Sequence, residues 1–121
     1  MIRRKILAID DDQFWQRLIG RLFGAEYEVQ VAGSCAECVR LACECNPDCI
    51  LLDFHLADGD AVDVCTALRK NGKKLNAPVV IVSSDPDAEI TAYAECRAAY
   101  FVLKGPQTMT ALPAIVEKLF A

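Results

Sequence analysis

Long hydrophobic runs are missing from this sequence. The longest uninterrupted apolar run covers six residues, Ala98 to Leu103, whereas a membrane-spanning helix needs roughly 20. The first five residues include three basic side chains, but only four apolar residues follow before Asp10, and the core of a signal peptide needs roughly 7–15. The sequence therefore predicts no membrane segment and no secretory signal, and we expect a cytoplasmic protein.

An excess of basic residues is also missing. Lys and Arg number 13 against 17 Asp and Glu, which gives a net charge of −4. Proteins that bind nucleic acid directly usually show a basic patch, so this balance argues against that function. Hydrophobic residues make up 54% and charged residues 25% of the 121 residues, which is typical of one folded domain. We therefore expect a single domain over residues 1–121.

Cysteine, in contrast, is abundant, with seven residues, five of them between Cys35 and Cys49. An odd number without a signal peptide does not suit a secreted disulfide framework, so reduced thiols are expected. A four-thiolate zinc site is one alternative. At about 100° per residue, however, Cys35, Cys38 and Cys45 share one helix face and Cys43 points away. Packing as small hydrophobic side chains is favoured, and zinc or redox chemistry remains open.

Five short apolar segments alternate with segments of helical periodicity. Such alternation predicts a parallel sheet covered by helices on both faces, with right-handed crossovers. The predicted strands are 5–9, 27–32, 49–52, 79–82 and 101–103.

The helical segments carry recognisable start and stop signals and predicted buried faces. Ser34 with Glu37 forms a capping box, Asp85-Pro86 and Thr110 are candidate caps, and Gly24 is a candidate stop. The third helix is expected to run to Gly72. The buried faces are predicted to include Phe14 and Trp15 in the first helix, and Ile90, Ala94 and Ala98 in the fourth.

Polar side chains follow four of the five predicted strands. They are Asp10 and Asp11, Asp53, Ser83 and Lys104. Ligands of open parallel sheets bind outside the carboxyl ends of the strands, so these side chains should meet in one pocket. Three carboxylates repel one another unless a cation lies among them, and such oxygen ligands suit Mg²⁺. A hydroxyl and an ammonium opposite the metal suit phosphoryl transfer to a carboxylate.

This set of motifs resembles the receiver domain of two-component response regulators, the domain type of chemotaxis regulators. The resemblance covers the whole chain and is carried by ILAIDDD at 6–12, PDCILLD at 47–53, PVVIVSS at 78–84 and FVLK at 101–104. It implies a flavodoxin-like (βα)5 three-layer sandwich, with a five-stranded parallel sheet of strand order 2-1-3-4-5.

The resemblance also implies a role for each residue of the pocket. Asp53 would accept the phosphoryl group from a sensor histidine kinase or phosphotransfer protein. Mg²⁺ would be held by Asp10, Asp11, Asp53 and the backbone carbonyl of His55. Ser83 and Lys104 would bind phosphoryl oxygens, and Ser83 and Phe101 would act as the switch. Such a domain catalyses only its own aspartyl phosphorylation and dephosphorylation, and is otherwise not an enzyme.

The output would be read on the face made by the fourth helix, the fifth strand and the fifth helix. That face would contact a downstream effector protein or an output domain outside this chain, or would form a dimer. We also expect the side chains of His55 and Asp85 to flank the path of the hydrolytic water and to set the lifetime of the phosphoryl group.

The sequence departs from the family pattern at three points. Ala57 and Ala61 replace residues that are often proline and glycine, with small expected effects on the loop. Gly105 stands between Lys104 and Pro106, where the family usually has a cis Lys-Pro bond. A trans peptide after Lys104 is expected, any cis bond would lie at Gly105-Pro106, and the placement of the lysine becomes a question for the structure.

Two further functions remain as alternatives. A receiver-like interaction module would work without phosphorylation. A phosphatase of the haloacid-dehalogenase type would use the Asp-x-Asp of Asp10 and Asp12 and carry the covalent phosphate on Asp10, although Phe14 and the short chain fit that class poorly.

Overall fold

The centre of the molecule is a five-stranded sheet in which every strand runs parallel to its neighbours. A computed structural model describes residues 2–70 and 76–121. The strand order is β2-β1-β3-β4-β5, which confirms the predicted 2-1-3-4-5 topology. The strands are β1 (Lys5–Ile9), β2 (Glu28–Ala32), β3 (Cys49–Leu52), β4 (Val79–Ser83) and β5 (Tyr100–Leu103).

In the described part of the chain, five helices cover the two faces of this sheet. They are α1 (Gln13–Phe23), α2 (Cys35–Cys45), α3 (Ala61–Lys70), α4 (Glu89–Glu95) and α5 (Thr108–Leu119). A 3₁₀ turn, Pro86–Ala88, precedes α4, and a two-residue ribbon pairs His55–Leu56 with Gly59–Asp60 after β3. The predicted end of the third helix at Gly72 lies outside the described residues. None of the described helices has the length and apolar character needed to cross a membrane.

Alternate residues of each strand enter two separate cores. In β1, Leu7 and Ile9 face the core under α2, α3 and α4, whereas Ile6 and Ala8 face the core under α1 and α5. Because both faces of a parallel sheet are covered, nearly every strand residue is apolar. The result is the three-layer sandwich that the sequence predicts.

Local signals account for several helix boundaries. The Asp12 carboxylate accepts a hydrogen bond from the Phe14 N–H at 2.9 Å, and the Ser34 hydroxyl accepts one from the Glu37 N–H at 3.1 Å. Asp85 caps the 3₁₀ turn, and the Gly24 N–H closes α1 on the Gly20 carbonyl. These side chains and terminal groups satisfy backbone groups that a helix end would otherwise leave unpaired.

The predicted start of α5 was wrong. The helix begins at Thr108 rather than after Thr110, because the Thr108 hydroxyl accepts a hydrogen bond from the Gly105 N–H at 2.9 Å and donates one to the Leu103 carbonyl. This side chain is buried, so it joins the end of β5 to the first turn of the helix.

The predicted buried face of α4 was also wrong. Ile90 is 80% exposed, and the buried side chains on and beside α4 are Ala88, Ala92 and Cys96. The 3₁₀ turn changes the phase of the helix, and α4 ends at Glu95, before Ala98. Because most candidate core residues of this segment have small side chains, the hydrophobic pattern of the sequence does not define which face of α4 is buried.

The prediction for α1 was wrong at its first turn. Phe14 is 63% exposed and Trp15 is half-buried, so neither belongs to the core. The buried residues of α1 are Ile19 and Phe23.

Five of the cysteine thiols are buried: Cys35, Cys38, Cys49, Cys65 and Cys96. They pack among the aliphatic residues of the two cores. Among the described residues, no three thiols converge as metal ligands. Burial raises the pKa of Cys38 to about 12, so this thiol stays protonated and unreactive near neutral pH. The packing role predicted for these five cysteines is therefore confirmed.

Candidate functional site

Three carboxylates meet at the carboxyl edge of the sheet. Asp10 and Asp11 directly follow β1 and Asp53 directly follows β3. Backbone hydrogen bonds extend the sheet ladder to these residues, from the Asp10 N–H to Ala32 and from the Asp53 N–H to Ile9. Neighbouring parallel strands end at one edge, so one carboxylate oxygen from each of the three residues lies within 4.8 Å of the other two. Asp10 and Asp53 are only 3% and 7% exposed, whereas Asp11 is exposed.

Lys104 reaches this cluster from the end of β5. Its Nζ lies 2.7 Å from Asp10 Oδ2 and 3.4 Å from Asp53 Oδ2, and its side chain is 10% exposed. The Lys104 N–H donates to the Ser83 carbonyl at 2.8 Å, which fixes the backbone on the sheet. The described peptide bonds, including those on both sides of Gly105, are all trans. The lysine therefore reaches both acids despite the additional glycine.

The pocket holds more negative than positive charge. The pKa of Asp53 is raised to about 6, chiefly by burial and then by the neighbouring Asp10 carboxylate, while Lys104 acts in the opposite direction. One ammonium cannot balance three carboxylates, so the charged form of Asp53 is disfavoured in this arrangement.

This donor set fits a hard divalent cation. The three carboxylates are the one group of this kind found among the described residues, and Mg²⁺ is commonly bound by one or two protein carboxylates together with water and phosphate oxygens. The exposed position of Asp11 leaves room for those further ligands. The unbalanced charge of the pocket is what a bound cation would neutralise.

Asp10 is the most firmly held of the three acids. Its Oδ1 accepts a hydrogen bond from the Asp12 N–H at 2.9 Å, and its backbone carbonyl accepts one from Gln16 Nε2 at 2.7 Å. Asp12 itself is exposed and caps α1.

The predicted hydroxyl lies at the end of β4 but is buried. Ser83 is 1% exposed, and its Oγ accepts a hydrogen bond from the Asp85 N–H at 3.1 Å. The following residue, Ser84, lines the open pocket together with Asp53 and Lys104. Phe101 lies farther from the carboxylates, half-buried against the core under α3 and α4, and its N–H donates to the Tyr93 hydroxyl at 3.0 Å.

His55 and Asp85 form a direct contact near the mouth of the pocket. His55 Nε2 lies 2.7 Å from Asp85 Oδ2, and this hydrogen bond is the largest cause that lowers the pKa of Asp85. The sequence predicts both residues near the pocket but contains no signal for their pairing. The contact joins the loop after β3 to the loop after β4.

Trp15 is the pocket residue that sequence reasoning missed. Its indole lines the pocket, and Lys104 Nζ lies 4.9 Å from the centroid of its ring. Helical spacing had assigned Trp15 to the core. The signal that could have located it is its place in the first turn of α1, four residues after Asp11, since that turn starts at the carboxyl end of β1.

Known proteins resemble this chain in sequence and in structure. The family model of the response regulator receiver domain matches residues 6–117. The DNA-binding transcriptional activator DevR/DosR of Mycobacterium tuberculosis is 27% identical over 113 residues, which are 89% of this chain and 52% of that protein. The chain spans about half the length, or less, of the curated relatives it matches.

Two solved structures show the same fold. TrrA from Thermotoga maritima, in complex with Mg²⁺-BeF, has a TM-score of 0.81 and 24% identity, with 96% of this chain and 98% of that chain covered. The chemotaxis response regulator CheY4 of Vibrio cholerae has a TM-score of 0.83 and 19% identity, with 97% and 98% covered.

Proposed function

Because the chain belongs to the response regulator receiver domain family, we propose that Asp53 is its phosphoacceptor and that phosphorylation there switches a protein-binding surface. One observation carries the proposal: Asp53 is buried beside Asp10 and Asp11, with Lys104 Nζ 3.4 Å from its carboxylate. The domain would act in signalling and modify only its own carboxylate.

The chemistry follows from the groups around Asp53. A carboxylate oxygen of Asp53 attacks the phosphorus of a phosphohistidine, the O–P bond forms as the N–P bond breaks, and the leaving imidazole takes up a proton. Lys104 and the Ser83 hydroxyl supply positive charge and a hydrogen bond to the phosphoryl oxygens. Mg²⁺ bound by the three carboxylates and the His55 carbonyl would neutralise their excess charge and polarise the phosphoryl group.

Two kinds of partner are proposed, one that supplies the phosphoryl group and one that responds to the phosphorylated domain. A sensor histidine kinase or a phosphotransfer protein supplies the phosphoryl group. A downstream effector protein or an output domain reads the result on α4, β5 and α5, and the same surface could pair two copies of the chain. In support, Ile90, Tyr93 and Leu103 are exposed hydrophobic side chains on these elements, and Phe101 connects them to the core.

A direct test uses a small phosphodonor such as acetyl phosphate with Mg²⁺. We expect one phosphoryl group per chain in the wild type and none in Asp53→Asn. Asp48→Asn is the matched control, because Asp48 is an exposed acid at the opposite end of β3 and its loss should leave phosphorylation unchanged.

Mass spectrometry of the trapped product distinguishes the alternatives. Phosphate on Asp10 would favour the phosphatase chemistry of the haloacid-dehalogenase type. The absence of any incorporation, with a folded protein and saturating Mg²⁺, would favour an interaction module that works without phosphorylation.

His55 and Asp85 are proposed to control hydrolysis of the phosphoaspartate. His55 lines the pocket and Asp85 contacts it. In this proposal the pair flanks the path of the hydrolytic water, so breaking the contact should change water access more than phosphoryl transfer. We expect His55→Gln and Asp85→Asn to alter the dephosphorylation rate several-fold and the phosphorylation rate much less. Unchanged dephosphorylation in both variants would refute this role.

A further inference from the structure

Lys104 contacts Trp15, a residue to which none of the proposed roles in the pocket refers. Its ammonium lies 2.7 Å from the Asp10 carboxylate, 3.4 Å from the Asp53 carboxylate and 4.9 Å from the centroid of the Trp15 ring. A lysine side chain has four flexible carbon–carbon torsions, so it needs several contacts to hold one position. The aromatic face attracts the cation without offering a hydrogen-bond acceptor that would compete for its protons.

The indole itself is held in place by the first turn of α1. Asp12 caps that turn through the Phe14 N–H, and Gln16 Nε2 donates to the Asp10 carbonyl at 2.7 Å. The ring of Phe14 packs edge-on against Trp15, with 5.8 Å between ring centroids. Trp15 is therefore fixed by the same segment that places Asp10 and Asp11.

We propose that Trp15 is a positioning residue that holds the Lys104 ammonium over Asp53 for phosphoryl transfer. This inference rests on the proposed function of Asp53. The indole covers one side of the ammonium, so Lys104 stays directed at the carboxylates and at the space where phosphoryl oxygens would bind. Without the indole, the side chain can turn toward solvent and must be ordered again in each transfer.

The first test is a double-mutant cycle on the phosphorylation rate with acetyl phosphate and Mg²⁺. We expect Trp15→Leu to slow phosphorylation by about three- to tenfold, the range that corresponds to a partly exposed cation–π contact. Trp15→Phe should recover most of the rate, because it keeps an aromatic face. In a Lys104→Met background, Trp15→Leu should cause little further loss. An equal loss in both backgrounds, or no loss in the wild type, would overturn the proposal.

The matched control is Phe120→Leu. The Arg4 guanidinium lies 4.9 Å from the centroid of the Phe120 ring, so this variant removes a cation–aromatic contact of the same length outside the pocket. It should leave phosphorylation unchanged. The affinity for Mg²⁺ should also be unchanged in Trp15→Leu, since the indole is not a ligand. A weakened Mg²⁺ affinity would indicate damage to the carboxylates instead.

Two measurements do not depend on phosphorylation and so separate this inference from the proposed function. Trp15 is the only tryptophan of the chain, so its fluorescence reports on the ammonium beside it, and Lys104→Met should change its emission. In urea unfolding, the effects of Trp15→Leu and Lys104→Met on the unfolding equilibrium constant should not multiply independently. The effect of the double variant should differ from the product of the two single effects by about three- to tenfold. Unchanged emission together with additive effects would refute the contact even if Asp53 is phosphorylated.

Discussion

Neutralising Asp53 should stabilise the metal-free protein. The folded pKa of about 6 lies above the ordinary value of 3.8, so the ionised carboxylate is less favourable in the folded protein than in the unfolded chain. A difference of this size corresponds to roughly 3 kcal/mol at most. Asparagine has almost the same shape and carries no charge, and its amide must still find hydrogen-bond partners. We therefore expect Asp53→Asn to raise the free energy of unfolding by about 1–3 kcal/mol at pH 7.5 in EDTA.

The pH dependence of the free energy of unfolding checks the sign of this effect separately. Because the folded pKa is raised, the destabilisation by the Asp53 charge is fully present above pH 6 and disappears as the pH falls from about 6 toward 4. The advantage of Asp53→Asn should shrink over the same range. Asp10 and Lys104 remain in both proteins at their 2.7 Å separation, so their contribution largely cancels in the comparison.

Urea unfolding followed by circular dichroism measures this effect. The wild type, Asp53→Asn and the control Asp48→Asn are compared at pH 7.5 and at pH 4.5. The three proteins must unfold with equal m-values for their free energies of unfolding to be compared. Adding Mg²⁺ should stabilise the wild type more than Asp53→Asn. An Asp53→Asn protein that is less stable than the wild type at pH 7.5, or a difference that does not change with pH, would refute the reasoning.

Three further predictions concern the scaffold. Asp58 accepts hydrogen bonds from the first backbone N–H groups of α2, chiefly Cys35, and these lower its pKa below 3.8. Asp58→Ala should lower the urea midpoint at neutral pH. This difference should shrink as the pH falls below 3.8 and through the lowered pKa of the folded protein, where the carboxylate loses its charge. Gly59 has φ +151°, which strains any side chain, and a Cβ there would lie 2.8 Å from Asp63 Oδ2, so Gly59→Ala should lower the free energy of unfolding by more than about 1 kcal/mol. Gly20 has open space inside α1, so Gly20→Ala should raise it by about 0.5–1 kcal/mol in the same assay. Equal effects of the two substitutions would contradict both predictions. Leu112 is fully buried, so calorimetry should show that Leu112→Ala lowers the free energy of unfolding by about 2–5 kcal/mol. A smaller decrease would indicate that α5 repacks around the cavity.

The strand ends could be predicted from sequence because their signal is strong and local. Each strand except β2 is a short apolar run that stops at a charged or hydroxyl residue, and topology then brings Asp10, Asp53 and Lys104 to one edge. The sequence left open whether Gly105 would displace the lysine. The answer depends on the Lys104 N–H bond to β4 and on the Thr108 hydroxyl, which are contacts between segments that no local pattern contains.

The errors came from places where hydrophobic contrast is weak or misleading. In α4, the candidate core residues are mostly alanines, so a change of phase in the preceding 3₁₀ turn was enough to turn Ile90 outward. In α1, Phe14 and Trp15 have the spacing of core residues, yet the first turn of the helix projects beyond the sheet edge. In that turn Trp15 lines the pocket and Phe14 is exposed, so neither enters the core.

The hydrogen bond between Ser83 and Asp85 indicates how the pocket can respond to phosphorylation while that bond is kept. Ser83 Oγ accepts from the Asp85 N–H, and a hydroxyl that accepts one hydrogen bond can still donate another. If Asp53 is phosphorylated as proposed, a phosphoryl oxygen can therefore accept a hydrogen bond from the Ser83 hydroxyl while the bond to Asp85 persists, provided that the end of β4 moves toward Asp53. Asp85 would move with it and strain its 2.7 Å contact with His55. The loop after β4 leads directly into α4, so a displacement at Ser83 reaches the proposed output surface through covalent connection.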